Sequence, residues 1–395
     1  MKERFRTLII DANGLTWKAV VADTLLKGVL GLSASTTLQE TLPAGSPLRK
    51  LLGYRNESLS YVIDWRDAFC EAPELAVDIC STTNLLGFYQ SLRKIGEYLL
   101  IVILHSATGD NMSILLKTAE WFKKRRGKLV VFIGNEYNLL ADKIKFIRSV
   151  DADYVCSQLP FEAACWLYAD CTRSKILAIP HALNPKLYYP DPCSKRTIDV
   201  GFIGHLYHTF IGDMERTNLI QFFQRNGNRF GISCDIRTQR LQREKWAQFL
   251  RICKGILGAE SGTYYLDRTG QVFEDVKKYV KTHPDASYEE VFENFFKSRS
   301  SPFSGKAISS RHFEPIGTKT CQILIEGEYN GILKADEHYV AVRRDLSNID
   351  EVIRRFRDDS YRKAMVDRTY EYIMSSHTYR HRVETLLKAV LDGPC

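Results

Sequence analysis

Short apolar runs alternate along the chain with longer stretches in which apolar positions recur every three to four residues. Runs of strand length, rich in Val, Ile, Leu or Tyr, stand at 7–10, 61–63, 99–104, 129–133, 154–156 and 176–179. Several end at Asp, Gly, Asn or Pro. Helical spacing shows between them, as in 111–124, where Ile114, Leu115, Ala119 and Phe122 recur. A second series opens with a strand at 198–203. It continues with a helix over 215–224, a strand at 232–236, a helix over 244–253 and strands at 255–258 and 321–325. Helical patterns over about 348–357, 360–374 and 378–391 close the chain. Alternation of this kind predicts βαβ units and parallel sheets.

The two series are separated by residues 179–192, which carry four prolines in fourteen residues. Such a stretch continues neither a helix nor a central strand, so it reads as a linker. The expected organisation is an N-terminal α/β domain over 1–185 and a C-terminal one over 186–392. The polar segment 271–304, with Lys277, Lys278, Lys281, Glu289, Glu290 and Glu293, reads as a helical insertion ending in a loop. Ligands of parallel α/β sheets bind outside the carboxyl ends of the strands. Two such domains facing a cleft could hold two ligands, one per domain.

Composition narrows the class. A length of 395 residues suits two domains, and 45% hydrophobic with 26% charged residues excludes wholesale disorder. The longest apolar run, 99–104, is too short for a bilayer span of about 20 residues. The first residues lack a signal-peptide pattern, so a cytoplasmic location is expected. Ten cysteines are scattered without any C-x-x-C, which argues against a zinc knuckle or dithiol centre. The net charge of +8 favours anionic partners. The cluster Lys123-Lys-Arg-Arg126 reads either as a solvated helix face or as a contact with the inner, anionic face of a membrane.

Three segments carry candidate chemistry. In Val200-Gly-Phe-Ile-Gly-His205 a strand runs into Gly-x-x-Gly, which fits a phosphate loop or a plain turn. Gly204 and His205 are the candidates there. Leu257-Gly-Ala-Glu-Ser-Gly262 places Glu260, Ser261 and Gly262 at a strand end, where a ligand could approach closely or the acid could simply be exposed in a turn. Arg311-His-Phe-Glu314, followed by Gly317 and Thr318, could pair a ribose-binding carboxylate with a pyrophosphate-neutralising guanidinium. An internal Arg–Glu ion pair is the alternative. Asp151-Ala-Asp153, His205/His208 and His377/His381 have spacings compatible with metal ligation, but no third ligand stands near the histidines in sequence, and no metal is expected. Gly134-Asn-Glu-Tyr137 could line an acceptor side or cap a helix. His105, at the end of an apolar strand, is a candidate neutral base or a packed histidine.

The second half resembles the nucleotide-sugar lobe of GT-B glycosyltransferases, the group-1 (GT4-like) branch and its relatives with CgeB-type domains. The resemblance rests on Arg311-His-Phe-Glu314 with Gly317-Thr318 and the strand after them, on Gly327-Glu-Tyr-Asn-Gly-Ile-Leu333 with His338-Tyr339, on Asp345-Leu-Ser-Asn348, on Ser376-His-Thr-Tyr-Arg380 and on the hinge Ile179-Pro-His-Ala-Leu-Asn184. It covers most of 128–392. It implies two Rossmann-like domains around a cleft, and metal-independent transfer of a sugar from a nucleotide-sugar donor to a glycan or lipid-linked acceptor. No cofactor beyond the donor substrate and no nucleic-acid partner is implied. Glu314 would bind the ribose, Glu260 would face the sugar, and His105 would be a base if the reaction inverts. Two departures stand out. The position eight before Glu314, where the branch usually has a second glutamate, is Lys306, and the usual Arg…Lys phosphate clamp is replaced by His205-Leu-Tyr-His208. A nucleotide-sugar epimerase of the same architecture and a non-catalytic glycan-binding paralogue therefore stay as alternatives.

Overall fold

The computed structural model describes residues 4–12, 60–109, 111–206, 211–238 and 241–391. Contacts divide the chain into two compact units. One comprises Met1–Asn135, Asp142–Val155 and Cys171–Lys175, and the other Glu136–Ala141, Cys156–Asp170 and Ile176–Cys395.

The first sheet has six strands: β1 (Phe5–Asp11), β2 (Leu75–Ser81), β3 (Leu100–Ile103), β4 (Lys128–Phe132), β5 (Tyr154–Ser157) and β6 (Lys175–Ala178), in the order β2-β1-β3-β4-β5-β6. β1 pairs in parallel with both β2 and β3, and β3 with β4. β3 is buried along its whole length and β4 at every position after Lys128, as unbroken apolar runs require.

Two sequence expectations need correction here. The run 61–63 is the start of a helix, Ser60–Glu71, because Val62, Trp65 and Phe69 are the buried positions, and their spacing is helical. A three-residue window cannot show that period. Residues 111–124 form two short helices, Ser113–Lys117 and Ala119–Phe122, rather than one. The Thr118 hydroxyl returns to the Ile114 carbonyl at 2.7 Å where they break. β2 escaped the sequence reading. It is an edge strand with only Leu75 and Cys80 buried, and its apolar signal is interrupted by Asp78.

The second sheet comprises β7 (Ile198–Ile203), β8 (Cys234–Arg237), β9 (Cys253–Gly258), β12 (Cys321–Ile325) and β13 (Val340–Val342), ordered β13-β12-β9-β7-β8 with parallel pairing throughout. Its side chains alternate between two cores. Ile203, Ile256 and Leu324 pack with Trp246, Phe249, Phe313 and Ile316 on one face. Phe202, Leu257 and Ile323 pack with Leu219, Ile220, Phe223, Val352 and Phe356 on the other. Helices thus cover both faces, the arrangement a parallel sheet needs.

Between β9 and β12 the chain forms an antiparallel hairpin of β10 (Ser261–Thr263) and β11 (Gly305–Ala307). The helices Gln271–Thr282 and Tyr288–Phe295 stand between its strands, where the sequence predicts a helical insertion. They carry a small core of Val272, Phe273, Val276, Val291 and Phe296. The closing helices are Ile349–Arg357, Asp359–Ser376 and Tyr379–Leu391. Among the described residues no helix is long and apolar enough to cross a membrane.

Candidate functional site at the carboxyl edge of the second sheet

The residues predicted at 260–262 and 311–314 converge through one histidine. His312 lies in the first turn of the helix Ser310–Gly317, and its Nε2 donates to the carbonyl of Ala259, immediately after β9, at 3.0 Å. Its Nδ1 accepts from the Ser309 N–H at 3.0 Å, which fixes this tautomer. Burial pushes the imidazole down to about 4, so it stays neutral. This contact brings the start of the helix to the carboxyl end of β9.

Glu260 follows Ala259 and is almost fully buried. Its Oε1 accepts from the Tyr329 N–H at 2.6 Å, while burial raises its carboxyl above the ordinary range. A Cβ on Gly327 would meet Glu260 Oε2 at 2.3 Å, so a larger residue there would push the carboxylate aside. Ser261 and Gly262 form β10 opposite Ala307 and Lys306. Gly262 has φ of +96°, and a Cβ there would lie 2.1 Å from the Gly305 carbonyl oxygen. Positive φ and close backbone approach both demand glycine.

Arg311 and Glu314 lie on the same helix, with Arg311 Nε 3.8 Å from Glu314 Oε2. The sequence reading missed their third member, Trp246. Its indole Nε1 donates to Glu314 Oε2 at 2.7 Å, and the Arg311 guanidinium lies 4.2 Å over its ring. Glu314 is 3% exposed, while the Arg311 side chain is 39% exposed. The internal ion pair weighed as the alternative is therefore present, and the guanidinium is its open member. Trp246 sits on the helix Arg243–Ile252, and no local motif couples it to residue 314.

Gly204 and His205 follow β7, the strand beside β9. The Gly204 N–H donates to Arg237 O at 3.0 Å, and the His205 carbonyl accepts from Arg216 Nη2 at 2.7 Å. Arg216 lies in the first turn of the helix Glu215–Asn226. His208 lies outside the described residues. Thr318 is not at this edge surface. It is fully buried, donating to Pro315 O at 3.0 Å and sharing a hydrogen bond with Thr320 at 2.9 Å. That hydroxyl pair belongs to a cage around Arg196, which donates to Thr320 Oγ1 and to the carbonyls of Thr318, Lys319, Leu250 and Cys253.

The remaining candidates have other partners. His105 is 1% exposed and packs against the rings of Phe132, Trp65 and Tyr61 at 5.0–6.0 Å between centroids. Asp151 pairs with Arg173, and Asp153 with Arg125 and Lys128, so both are engaged in ion pairs. His377 bonds Tyr372 and Arg382, and His381 bonds Thr378. Among the described residues no three His, Cys, Asp or Glu side chains are grouped to hold a metal. Glu136, from the Gly134–Tyr137 motif, accepts from Ser157 Oγ and the Gln158 N–H at 2.6 and 2.9 Å. Within the basic cluster, Arg125 binds the carbonyls of Phe122, Val150 and Asp151, while Lys123, Lys124 and Arg126 are exposed.

The sequence model of the family described as "Glycosyl transferase-like" matches residues 268–388, which begin in the hairpin insertion and run through the helix Ser310–Gly317. A solved α-glucosyltransferase, in complex with UDP and a 13-mer DNA, is 8% identical. It covers 98% of this chain and 100% of its own, with a TM-score of 0.57. Sucrose-phosphate synthase from Thermosynechococcus elongatus is 11% identical, covering 99% and 100%, with a TM-score of 0.50. No curated protein sequence matches. These likenesses show the fold, the two parallel α/β sheets of the GT-B type, and the family model matches the part of the chain that holds the helix Ser310–Gly317. The CgeB-type detail of the resemblance is not confirmed.

Proposed function

We propose that the chain transfers a sugar from a nucleoside-diphosphate donor to an acceptor hydroxyl, with the donor bound at the carboxyl edge of the second sheet. The observation that carries this reading is the Arg311–Trp246–Glu314 group. A partly exposed planar cation is held on an indole face at the first turn of a helix. Both the cation and the helix N-terminus favour an anion.

When the bond between the anomeric carbon and the diphosphate oxygen breaks, negative charge grows on the leaving group. Arg311 and the first turn of its helix stabilise that charge better in the transition state than in the ground state, while the Gly204 N–H is already donated to the Arg237 carbonyl. The acceptor oxygen forms the new bond to the anomeric carbon as the bond to the diphosphate oxygen breaks, and its proton passes to the departing diphosphate. Glu314, its Oε2 fixed by the indole, receives a ribose hydroxyl on its other oxygen. Glu260, held by the Tyr329 N–H, lies beside the sugar. Ser261 and His205 border the same edge. His105 takes no part in this scheme, since three aromatic rings enclose its imidazole. A glycan or lipid-linked acceptor is the reading carried from the resemblance. The exposed lysines 123 and 124 would suit its anionic membrane.

Calorimetric titration with UDP and GDP tests the site. The wild-type protein should bind one of them, and Glu314→Ala and Arg311→Met should weaken it at least tenfold. Equal binding by the variants refutes the assignment. Release of free nucleoside diphosphate on adding acceptor separates transfer from epimerisation, which yields an isomer without acceptor, and from a non-catalytic role.

A further inference from the structure

Beside Glu260 and Gly262 the second unit contains an ion pair that the scheme above does not use. Lys306 Nζ lies 2.7 Å from Asp213 Oδ2, and the two side chains are 3% and 6% exposed. Lys306 stands opposite Gly262 in the β10–β11 hairpin. Asp213 lies just before the helix Glu215–Asn226, whose N-cap residue is Met214.

The pair is held rigidly from outside. Thr263 Oγ1 donates to the Ile211 carbonyl at 2.8 Å, and the Tyr288 hydroxyl donates to the Gly212 carbonyl at 3.2 Å. Gly212 has φ of +76°, and a Cβ there would meet the Tyr265 and Phe296 rings at 2.8–2.9 Å. The helical insertion therefore braces the backbone of 211–213. On the other side the Tyr264 ring lies 4.6 Å from Lys306 Nζ, donates its hydroxyl to Glu215 at 2.8 Å and is covered by Arg344.

Asp213 Oδ1 is buried and accepts no hydrogen bond among the described residues. A carboxylate oxygen kept from water calls for a donor. The chemistry of the missing donor can be deduced. Asp213 cancels the charge of Lys306, so the pair offers no net charge to a diphosphate. A fully ionised phosphate oxygen also brings no proton to Oδ1. A sugar hydroxyl does bring one, and its oxygen, or that of its neighbour on the ring, accepts from the ammonium.

We propose that Asp213 and Lys306 read the hydroxyl pattern of the donor's sugar, Oδ1 accepting from one hydroxyl and Nζ donating to the same or the adjacent one. This rests on the nucleotide-sugar reading of the edge and adds the residues that recognise the hexose. Both are binding residues of specificity. The bond-breaking step stays with the groups already named.

The test compares bare nucleotides with sugar nucleotides. UDP, GDP, UDP-glucose, UDP-galactose, UDP-N-acetylglucosamine and GDP-mannose are titrated into wild type, Asp213→Asn and Lys306→Met, with melting curves for each protein. In wild type one sugar nucleotide should bind roughly tenfold tighter than its bare diphosphate. Asp213→Asn should erase that gain while the diphosphate binds within twofold of wild type. Loss by one common factor for both ligands, or no loss for either, overturns the proposal. Should a variant fail to fold, monodeoxy analogues of the preferred donor are titrated into wild type. At least one should bind roughly tenfold more weakly, and equal binding of all overturns the proposal. Binding of the diphosphates without any sugar-dependent gain refutes the pair's role alone. Failure of every nucleotide to bind wild type refutes the underlying reading as well.

Discussion

Replacing Trp246 by Phe removes one hydrogen-bond donor and part of a buried ring, so the lost contacts alone set a lower bound that leaves out the cavity. The indole N–H gives Glu314 Oε2 the only hydrogen bond recorded for that carboxylate among the described residues, at 2.7 Å and fully buried. A hydrogen bond to a charged group contributes about 1.5–3 kcal/mol. The smaller ring also weakens the cation–π contact with Arg311, worth about 0.5–1 kcal/mol at a partly exposed site. Arg311 Nε, at 3.8 Å on a side chain 39% exposed, compensates little. Trp246→Phe should therefore lower unfolding free energy by about 2–4 kcal/mol. Urea denaturation at pH 7 reads this as a lower midpoint with an unchanged slope. The same variant should bind the nucleoside diphosphate more weakly, since Arg311 and Glu314 both lose their fixed placement. A stability loss below about 0.5 kcal/mol would mean that the indole–carboxylate bond does not exist in solution, and the reasoning fails with it.

Three other perturbations are as specific. Burial lowers the imidazoles of His312 and His377 to about 4 and that of His181 to about 3. Each folded-state value lies below the unfolded one, so the unfolded chain takes up protons first, and stability present above about pH 6.5 should fall as pH drops toward 4. Glu260, raised by burial, opposes this trend only at the acid end, and a denaturation series from pH 8 to 4 that stays flat would contradict the burial of these rings. Gly262→Ala should cost about 3 kcal/mol or more and abolish nucleotide binding, because its Cβ would strike the Gly305 carbonyl at positive φ. A melting point within a degree or two of wild type would rule out the hairpin geometry. Arg196→Lys keeps the charge but cannot reach five acceptors at once, and should lose about 2–3 kcal/mol in denaturant titration with nucleotide affinity unchanged.

The candidate site was legible where function and backbone shape coincide in a short segment. Glu260-Ser-Gly262 and Arg311–Glu314 could be singled out because a carboxylate among small residues, or an acid three residues from an arginine, is visible without a partner. Trp246 and Asp213 could not. One is 68 residues from Glu314 and the other 93 from Lys306, and only folding gives each its partner. Thr318 shows the opposite failure. Its hydroxyl stands next to the motif in sequence, but the end of the helix turns it toward Pro315 and Thr320. Lys306 was noticed as a departure from a glutamate. Its meaning needed Asp213.

The sequence by itself determined the two series of alternating strands and helices and the helices inserted within the second, because periodicity of burial is a local property of the chain. It did not determine the helical start of Ser60–Glu71 or the edge strand β2, where a few apolar residues fit either period or meet only one neighbour. Tertiary structure alone decided which strand ends share one edge, which carboxylates are buried and which cation stays open to solvent. Those properties depend on the distance between residues far apart along the chain, and electrostatics and desolvation act through that distance.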